Sequence, residues 1–361
     1  MQHRPYLTHV PENLKLSEHF SSLMLGFDRT AVALEIVSMA LLTGIAWFFQ
    51  IRVEGSMSLV QVLIAKFGLS LFRRVYNNYL EAAFCAFPGY RTQTISEHRL
   101  KKEKDLSGRD REQLEYLVHQ GRLMFVLQLA FDLIVYFLLP GYYPGGEITG
   151  SLAERLTRLV LNHYVLSFGM YWGHRALHKN RWLWTNVHIV HHWARHPMSR
   201  TTFQEHWGDK IWNAIVGHFF AQILLPLDRQ MFYVSRILRM CESLEKHSGV
   251  SGPFNLVHSL QWWIPFADMP HHHDWHHEGH KGSNYSFTPV GGLWDCLFGT
   301  RNLGRASEVA QTANDVLEKN KKSCTAINTQ FFDGEYSCLI PLICLTMAVT
   351  IRIANTIQTA V

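Results

Sequence analysis

Charge is scarce in this chain of 361 residues. Asp, Glu, Lys and Arg make up 17% of it, against about a quarter in an ordinary soluble domain. The formal net charge is only +5, and no basic stripe with a reading motif is present, which excludes a nucleic-acid partner. At most, the mild positive balance suits a face near anionic lipid headgroups. The six cysteines are Cys85, Cys241, Cys296, Cys324, Cys338 and Cys344. None forms a CxxC pair, so a zinc ribbon and a thioredoxin motif are both absent, and scattered reduced core thiols are expected. No P-loop is present, and no GxGxxG fingerprint opens a helix. His277-Glu278-Gly279-His280 is one residue short of the zincin HExxH pattern. His196-Pro197-Met198 lacks the Gly-Gly of a cytochrome b5 haem motif, so the chain carries no visible electron source of its own. No signal peptide is expected, because the first apolar run begins near Ala31.

Apolar residues are abundant, at 47% overall with 13% aromatic, and they fall into runs. Ala31–Gln50 is apolar over about 20 residues, the length that spans a bilayer. Ser58–Phe72 follows, interrupted by Lys66 and stopped by Arg73-Arg74. Leu123–Leu139 carries Asp132, Leu156–Trp172 carries His163, Ile211–Leu227 carries His218, and Tyr336–Ile351 closes the set. Charged residues inside such runs face a bundle interior or a polar cavity rather than lipid. The expected fold is therefore all-α: a multi-span membrane helical bundle with a cytosolic helical cap. A soluble helical bundle is the alternative.

The domain reading follows. Residues 1–30 form a polar cytosolic lead, and 31–172 hold transmembrane helices with a basic loop at 98–113. Residues 173–300 form a histidine-rich region, 301–335 a polar linker, and 336–361 a C-terminal apolar helix. Loop 98–113 (HRLKKEKDLSGRDREQ) should stay cytosolic by the positive-inside rule, and the turn-rich Gly141–Ser151 segment should be lumenal. Residues from Gly173 onward then return to the cytosolic side. Val234–Met240, broken by Arg236 and Arg239, looks a poor return partner for Ile211–Leu227, so a re-entrant hairpin is expected there.

Histidine is over-represented. There are 22, and over half lie between His174 and His280. Three clusters stand out: His174-x3-His178, His188-x2-His191-His192, and His273-x2-His276-His277. On a helix, residues three or four apart share a face, so each cluster forms a compact set of imidazoles if its segment is helical. Imidazole suits iron, copper, zinc or nickel. Eight histidines are too many for one tetrahedral zinc, so two metal ions sharing them is the economical reading.

These boxes resemble the sterol desaturase and fatty acid hydroxylase superfamily of membrane di-iron oxygenases over roughly Trp172–Thr300. HRALH is similar to its first box, HIVHH to its second and HHDWHH (His272–His277) to its third, as is the following WDCLFGT (Trp294–Thr300). The stretch EKHSGVSGPFNLVHSL (Glu245–Leu260) looks like the HSG segment of sterol C4-methyl oxidases and cholesterol hydroxylases. It also resembles the matching part of sphingoid-base hydroxylases. The resemblance adds His247 and His272 to the ligand candidates, and sets His206 where the family has a histidine after box two. Here, however, the family's His-Pro-x-Glu at that place reads Glu205-His206-Trp207-Gly208-Asp209.

The resemblance implies two Fe ions held by His174, His178, His188, His191, His192, His247, His272, His273, His276 and His277. Asp274, Glu205 and Asp209 are candidates to orient ligating rings. It implies O2-dependent oxidation of a lipid drawn from the bilayer, most simply a sterol or triterpenoid in lipid biosynthesis. An external donor, such as cytochrome b5 or a reductase, would supply electrons. The expected location is the endoplasmic reticulum membrane. Alternatives on the same iron centre are a sphingoid-base or fatty acyl hydroxylase, or a desaturase or epoxidase. A membrane metal transporter is the non-enzyme alternative. Trp262, Trp263, Phe266 and Trp275 near box three read first as anchors at the membrane interface, and in the alternative as the walls of a substrate path.

Overall fold

The computed structural model describes residues 29–87, 90–92, 108–146, 148–261, 263–278, 282–302 and 337–360. Most of the lead, the heart of the basic loop, Trp262 and nearly all of the polar linker lie outside them. Among the described residues the chain is all-helical, without a strand. Four long helices lead: α1 (Arg29–Phe48), α2 (Leu59–Ala86), α3 (Gly108–Leu138) and α4 (Leu152–Lys179). Short α5 (Arg181–Asn186) leads to 3-10 turns at His188–Trp193 and Ser199–Phe203. A broken helix then runs as α6 (Trp207–Ala214), a π-turn (Ile215–Phe219) and α7 (Phe220–Leu224). After it come α8 (Arg229–Lys246), α9 (Leu256–Gln261), α10 (Pro270–Glu278), α11 (Gly292–Leu297) and α12 (Leu339–Ala360).

Local sequence fixes where these helices start. Ser58 and Gln61 cap α2 reciprocally, with Ser58 N donating to Gln61 Oε1 at 3.0 Å and Gln61 N to Ser58 Oγ at 3.3 Å. Ser151 and Glu154 repeat the arrangement at α4. Asp228 caps α8 and also receives Arg155 at 2.7 Å, which ties the starts of α4 and α8 together. The α1–α2 and α3–α4 turns pack on one another, with Met57 N donating to Tyr143 O and Gly145 N to Gly55 O. A Cβ on Gly145 would lie 2.3 Å from the Ser56 backbone, so only glycine permits this approach.

Three sequence expectations change. By length and composition, one described helix can cross a membrane, Glu115–Leu138, with Val32–Phe48 a shorter apolar helix, fewer than the six apolar runs of the sequence. The reason is polar insertion: α2 runs straight through Arg73-Arg74 to Ala86, because those side chains turn into an internal cavity. Val234–Met240 is not broken. It belongs to the 18-residue α8, whose arginines Arg236 and Arg239 face the same cavity. Cys241, Cys338 and Cys344 are free thiols as expected, whereas Cys296 is disulfide-bonded.

Candidate metal centre

Nine histidines converge in two adjoining groups. His174, His178, His188, His192 and His276 form one, and His191, His247, His273 and His277 form the other; within each, the donor atoms lie within 4.8 Å of one another. The boxes therefore do not map one to a group. Box one ends α4 and gives both its rings to the larger group. Box two is a 3-10 turn rather than an α-helix, and it splits: His188 and His192 point one way, His191 the other. Box three, on α10, splits likewise, with His276 in the larger group and His273 and His277 in the smaller. His247, at the C-cap of α8, completes the smaller group.

In five of the nine rings the nitrogen that faces away from the centre is anchored, whereas Nδ1 of His178, His191, His192 and His273 has no hydrogen-bond partner. Nδ1 of His174 lies 2.7 Å from Tyr285 O, that of His276 2.6 Å from Ser283 O, and that of His188 2.6 Å from Asp209 Oδ2. In the smaller group, Nδ1 of His247 lies 2.7 Å from Ser243 O and that of His277 2.9 Å from Ala194 O. A carbonyl or carboxylate oxygen can only accept, so each of these Nδ1 atoms carries the proton and each Nε2 presents a lone pair inward. Those Nε2 atoms meet one another. His174 and His188 are 3.1 Å apart, as are His247 and His191, and His276 Nε2 has no hydrogen-bond partner at all.

Burial first, and neighbouring imidazoles next, hold His178, His192, His273 and His277 well below the usual histidine range. Burial likewise brings His276 to about 3 and His191 to about 4. The rings are thus neutral at pH 7. Opposed lone pairs at this distance repel unless a cation lies between them. Two imidazole nitrogens bound at about 2.1 Å to one ion lie about 3 Å apart when they meet near a right angle. The donor set therefore fits a metal in each group, with more nitrogens in the larger than a tetrahedral site takes.

The remaining candidates go elsewhere. His272 joins neither group: its Nδ1 lies 2.8 Å from Asp268 Oδ1, which draws the ring away from the centres. His206 caps α6, where its Nδ1 accepts from Gly208 N at 3.0 Å. Among the acids, Asp209 does orient a box ring. Asp274 instead lies 3.5 Å from His196, and Glu205 3.6 Å from Lys210. Sequence reasoning missed Asp295 of the WDCLFGT stretch. Buried and pushed up to about 6 by that burial, it accepts from Tyr285 N and Ser286 N, and so sets the carbonyl that holds His174. It also missed Glu245, which accepts from Val257 N, His258 N and the His258 ring, and Lys246, which pairs with Asp268. These fix the end of α8 and thereby His247. No local spacing marks such long-range partners.

A cavity of about 500 Å³ lies between α1, α2, α3, α6, the π-turn and α8. Its wall includes Asn213, which donates to Asp209 Oδ1 at 2.6 Å, and Ser243, whose carbonyl holds His247. The cavity thus abuts the supports of both groups. Phe266 and Trp275 do not line it, and Trp263 is exposed on the surface.

Residues 159–300 match the fatty acid hydroxylase family. The very-long-chain aldehyde decarbonylase GL1-10 of Oryza sativa subsp. japonica is 31% identical over 181 residues, 50% of this chain and 58% of that protein. Methylsterol monooxygenase 1-1 of Arabidopsis thaliana is 28% identical over 173 residues, 48% of this chain and 55% of that protein. Methylsterol monooxygenase 2-2 of the same plant is 32% identical over 154 residues, 41% and 53% of the two chains. The chain thus spans just over half the length of the curated relatives it matches. No solved structure matches it. On the histidine boxes, the family match and these relatives, residues 159–300 form a fatty acid hydroxylase region, similar there to members of the sterol desaturase and fatty acid hydroxylase superfamily.

Proposed function

We propose that this chain is a membrane-bound, non-haem di-iron oxygenase that uses O2 to oxidise a lipid, with a sterol or triterpenoid as the leading substrate class. The observation that carries the reading is the pair of converging histidine groups beside an internal cavity. Bound iron would supply the O2-dependent oxidation of an otherwise unreactive C–H bond. The chain does the rest. His174, His178, His188, His192 and His276 would hold one ion, and His191, His247, His273 and His277 the other. Tyr285, Ser283, Asp209, Ser243 and Ala194 keep the ligating tautomers fixed. Phe287, stacked 4.2 Å from the His174 ring, and Trp184, 5.0 Å from His178, keep water from the larger group.

The methylsterol monooxygenase relatives support a sterol. The aldehyde decarbonylase relative supports a second reading, in which the lipid is a long-chain aldehyde or acyl derivative. A multi-span arrangement in the endoplasmic reticulum membrane is favoured by outward apolar faces: Val37 is 64% exposed and Phe48 74%, with Ile64, Leu138, Val160 and Met347 alongside on other helices. Electrons would come from a separate cytochrome b5 or reductase. A metal transporter places its ligands within the spans, whereas these boxes cluster beyond the apolar runs.

Lipid profiling of a deletion strain tests the reading. The strain should accumulate one lipid and lose its oxidised derivative, with rescue by the intact chain but not by His178→Ala. An unchanged profile under aerobic, iron-replete growth would refute it.

A further inference from the structure

The cavity beside the histidines is more cationic than a lipid pocket needs to be. Six Lys or Arg side chains line it, but two carboxylates. Lys66 is paired with Asp132, Arg74 with Glu35, and Lys210 lies 3.6 Å from Glu205. Among the described residues, Arg236 and Arg239 meet no carboxylate within ion-pair distance. They lie one turn apart on α8 and both line the cavity. Arg239 is only 6% exposed. Its Nε donates to Met170 Sδ at 3.1 Å, a weak acceptor, and its Nη1 has no hydrogen-bond partner. Arg236 donates to Tyr142 Oη at 2.7 Å and leaves its Nε without a partner. The nearest acid along the helix, Glu242, accepts from the His163 ring at 2.8 Å and from Gln261 through Oε1 alone; its Oε2 is buried without a hydrogen-bond partner, and its charge acts on Arg239 without forming an ion pair. A buried guanidinium with an unfilled donor is costly, and its planar fork suits an oxyanion.

The position of Arg239 matters as much as its charge. Its guanidinium lies 5.6 Å from the centre of the Phe287 ring, which in turn stacks on His174. The unfilled donor is therefore at the histidine end of the cavity. Val32, Met39, Val62 and Phe125 supply an apolar wall elsewhere.

We propose that Arg239 and Arg236 form a head-group subsite for an oxyanion, so that the lipid entering this cavity carries a carboxylate or phosphate head and seats that head beside the histidine groups. This rests on the lipid-oxygenase reading and narrows its substrate to acidic lipids, whether the skeleton is a ring system or a chain.

Competition binding to the full chain in phosphatidylcholine nanodiscs tests it, with matched pairs differing only in the head: palmitate against hexadecanol, and cholesterol sulfate against cholesterol. The acidic member of at least one pair should bind about tenfold tighter or more. Arg239→Gln should remove most of that preference, and Arg239→Lys should keep part of it. Hexadecyl phosphate, run beside palmitate, tells a phosphate ester from a carboxylate as the preferred head. If Arg239→Gln does not fold, Arg236→Gln carries the same comparison. Equal binding of acid and alcohol in both pairs would overturn the proposal, as would a preference that survives Arg239→Gln. Iron measured on the same samples separates the two readings: equal binding of acid and alcohol by the unaltered chain with both irons in place counts against the subsite alone, whereas absence of iron counts against the oxygenase.

Discussion

Nδ1 of His188 and Oδ2 of Asp209 lie 2.6 Å apart, and both side chains are buried. The other oxygen of Asp209 receives Asn213 from the cavity wall. One carboxylate therefore fixes a ring of the larger histidine group and links it to the space where a lipid would sit. Removing an outer partner of this kind lowers metal affinity by about 10–100-fold. Asp209→Ala should bind iron more weakly by that order, measured by chelator competition on detergent-purified protein. Asp274→Ala, whose carboxylate faces His196 instead, should bind iron as the unaltered chain does. Equal affinities for the two variants would remove Asp209 from its orienting role.

The grouping also predicts stoichiometry. The intact chain should hold about two irons when made in iron-replete cells, a condition that matters because zinc competes for imidazole sites. His247→Ala removes one of the four nitrogens of the smaller group and should lower the content toward one. His272→Ala, outside both groups, should leave it at two. Elemental analysis reads both. Loss of iron in His272→Ala comparable to that in His247→Ala would mean that the two groups are drawn wrongly.

The boxes were legible because histidine spacing is local, and so was His247 through the HSG stretch. What spacing could not reveal was the division of labour within a box. The i, i+3, i+4 pattern predicts one shared α-helical face, yet His188–Trp193 is a 3-10 turn, in which i and i+3 eclipse. Even so, His188 shares a group with His192 while His191 joins the other, so rotation per residue alone does not assign the rings. The supports of the site act at separations that no motif spacing marks: Asp295 on Tyr285 and Ser286, 10 and 9 positions away, and Glu245 on Val257, His258 and Tyr76, 12, 13 and 169 positions away. Arg236 and Arg239 misled the reading of α8 because a charge within an apolar run looks like a break until the cavity that receives it is known.

The π-turn rests on two glycines of α4. A Cβ on Gly169 would lie 1.9 Å from Val216 O, and one on Gly173 2.5 Å from Val216 Cγ2. The first clash is with backbone, which cannot yield as a side chain can. Overpacking of this kind costs about 1–3 kcal/mol or more. Gly169→Ala should lower the melting temperature of the detergent-purified chain, whereas Gly68→Ala, with nothing within 4 Å of its added methyl, should hold or raise it. Unchanged melting of Gly169→Ala would mean that α4 and the π-turn pack less closely.

Asp228 offers a pH test away from the metal. The hydrogen bond from Arg155 is the main cause that holds its carboxyl below the usual carboxylate range. A depressed folded-state pKa means that the contribution is fully present above the unfolded value of about 3.9 and is lost as pH falls through the lower folded value. Asparagine caps a helix as well as aspartate does, so Asp228→Asn isolates the charge. The variant should be less stable by about 1 kcal/mol at pH 7, and the gap should close as pH falls below about 4. A gap that stayed constant from pH 7 to pH 3 would assign the effect to something other than this ion pair.

Orientation in the membrane links charge to chemistry. The two hairpin turns near Ser56 and Tyr143 bind each other, while the histidines gather at the opposite end of α4. If loop 98–113 stays cytosolic, as its basic residues require, those turns are lumenal and all three boxes face the cytosol. The broken helix from Trp207 to Leu224 is followed at once by α8, which returns the chain to His247 in the same histidine cluster. That pair therefore enters and leaves on one face, and α12 would cross once more. A glycosylation tag after Val361 should be modified, and one inserted near Ser107 should not. The reverse pattern would overturn the orientation, and modification of both would overturn the number of crossings.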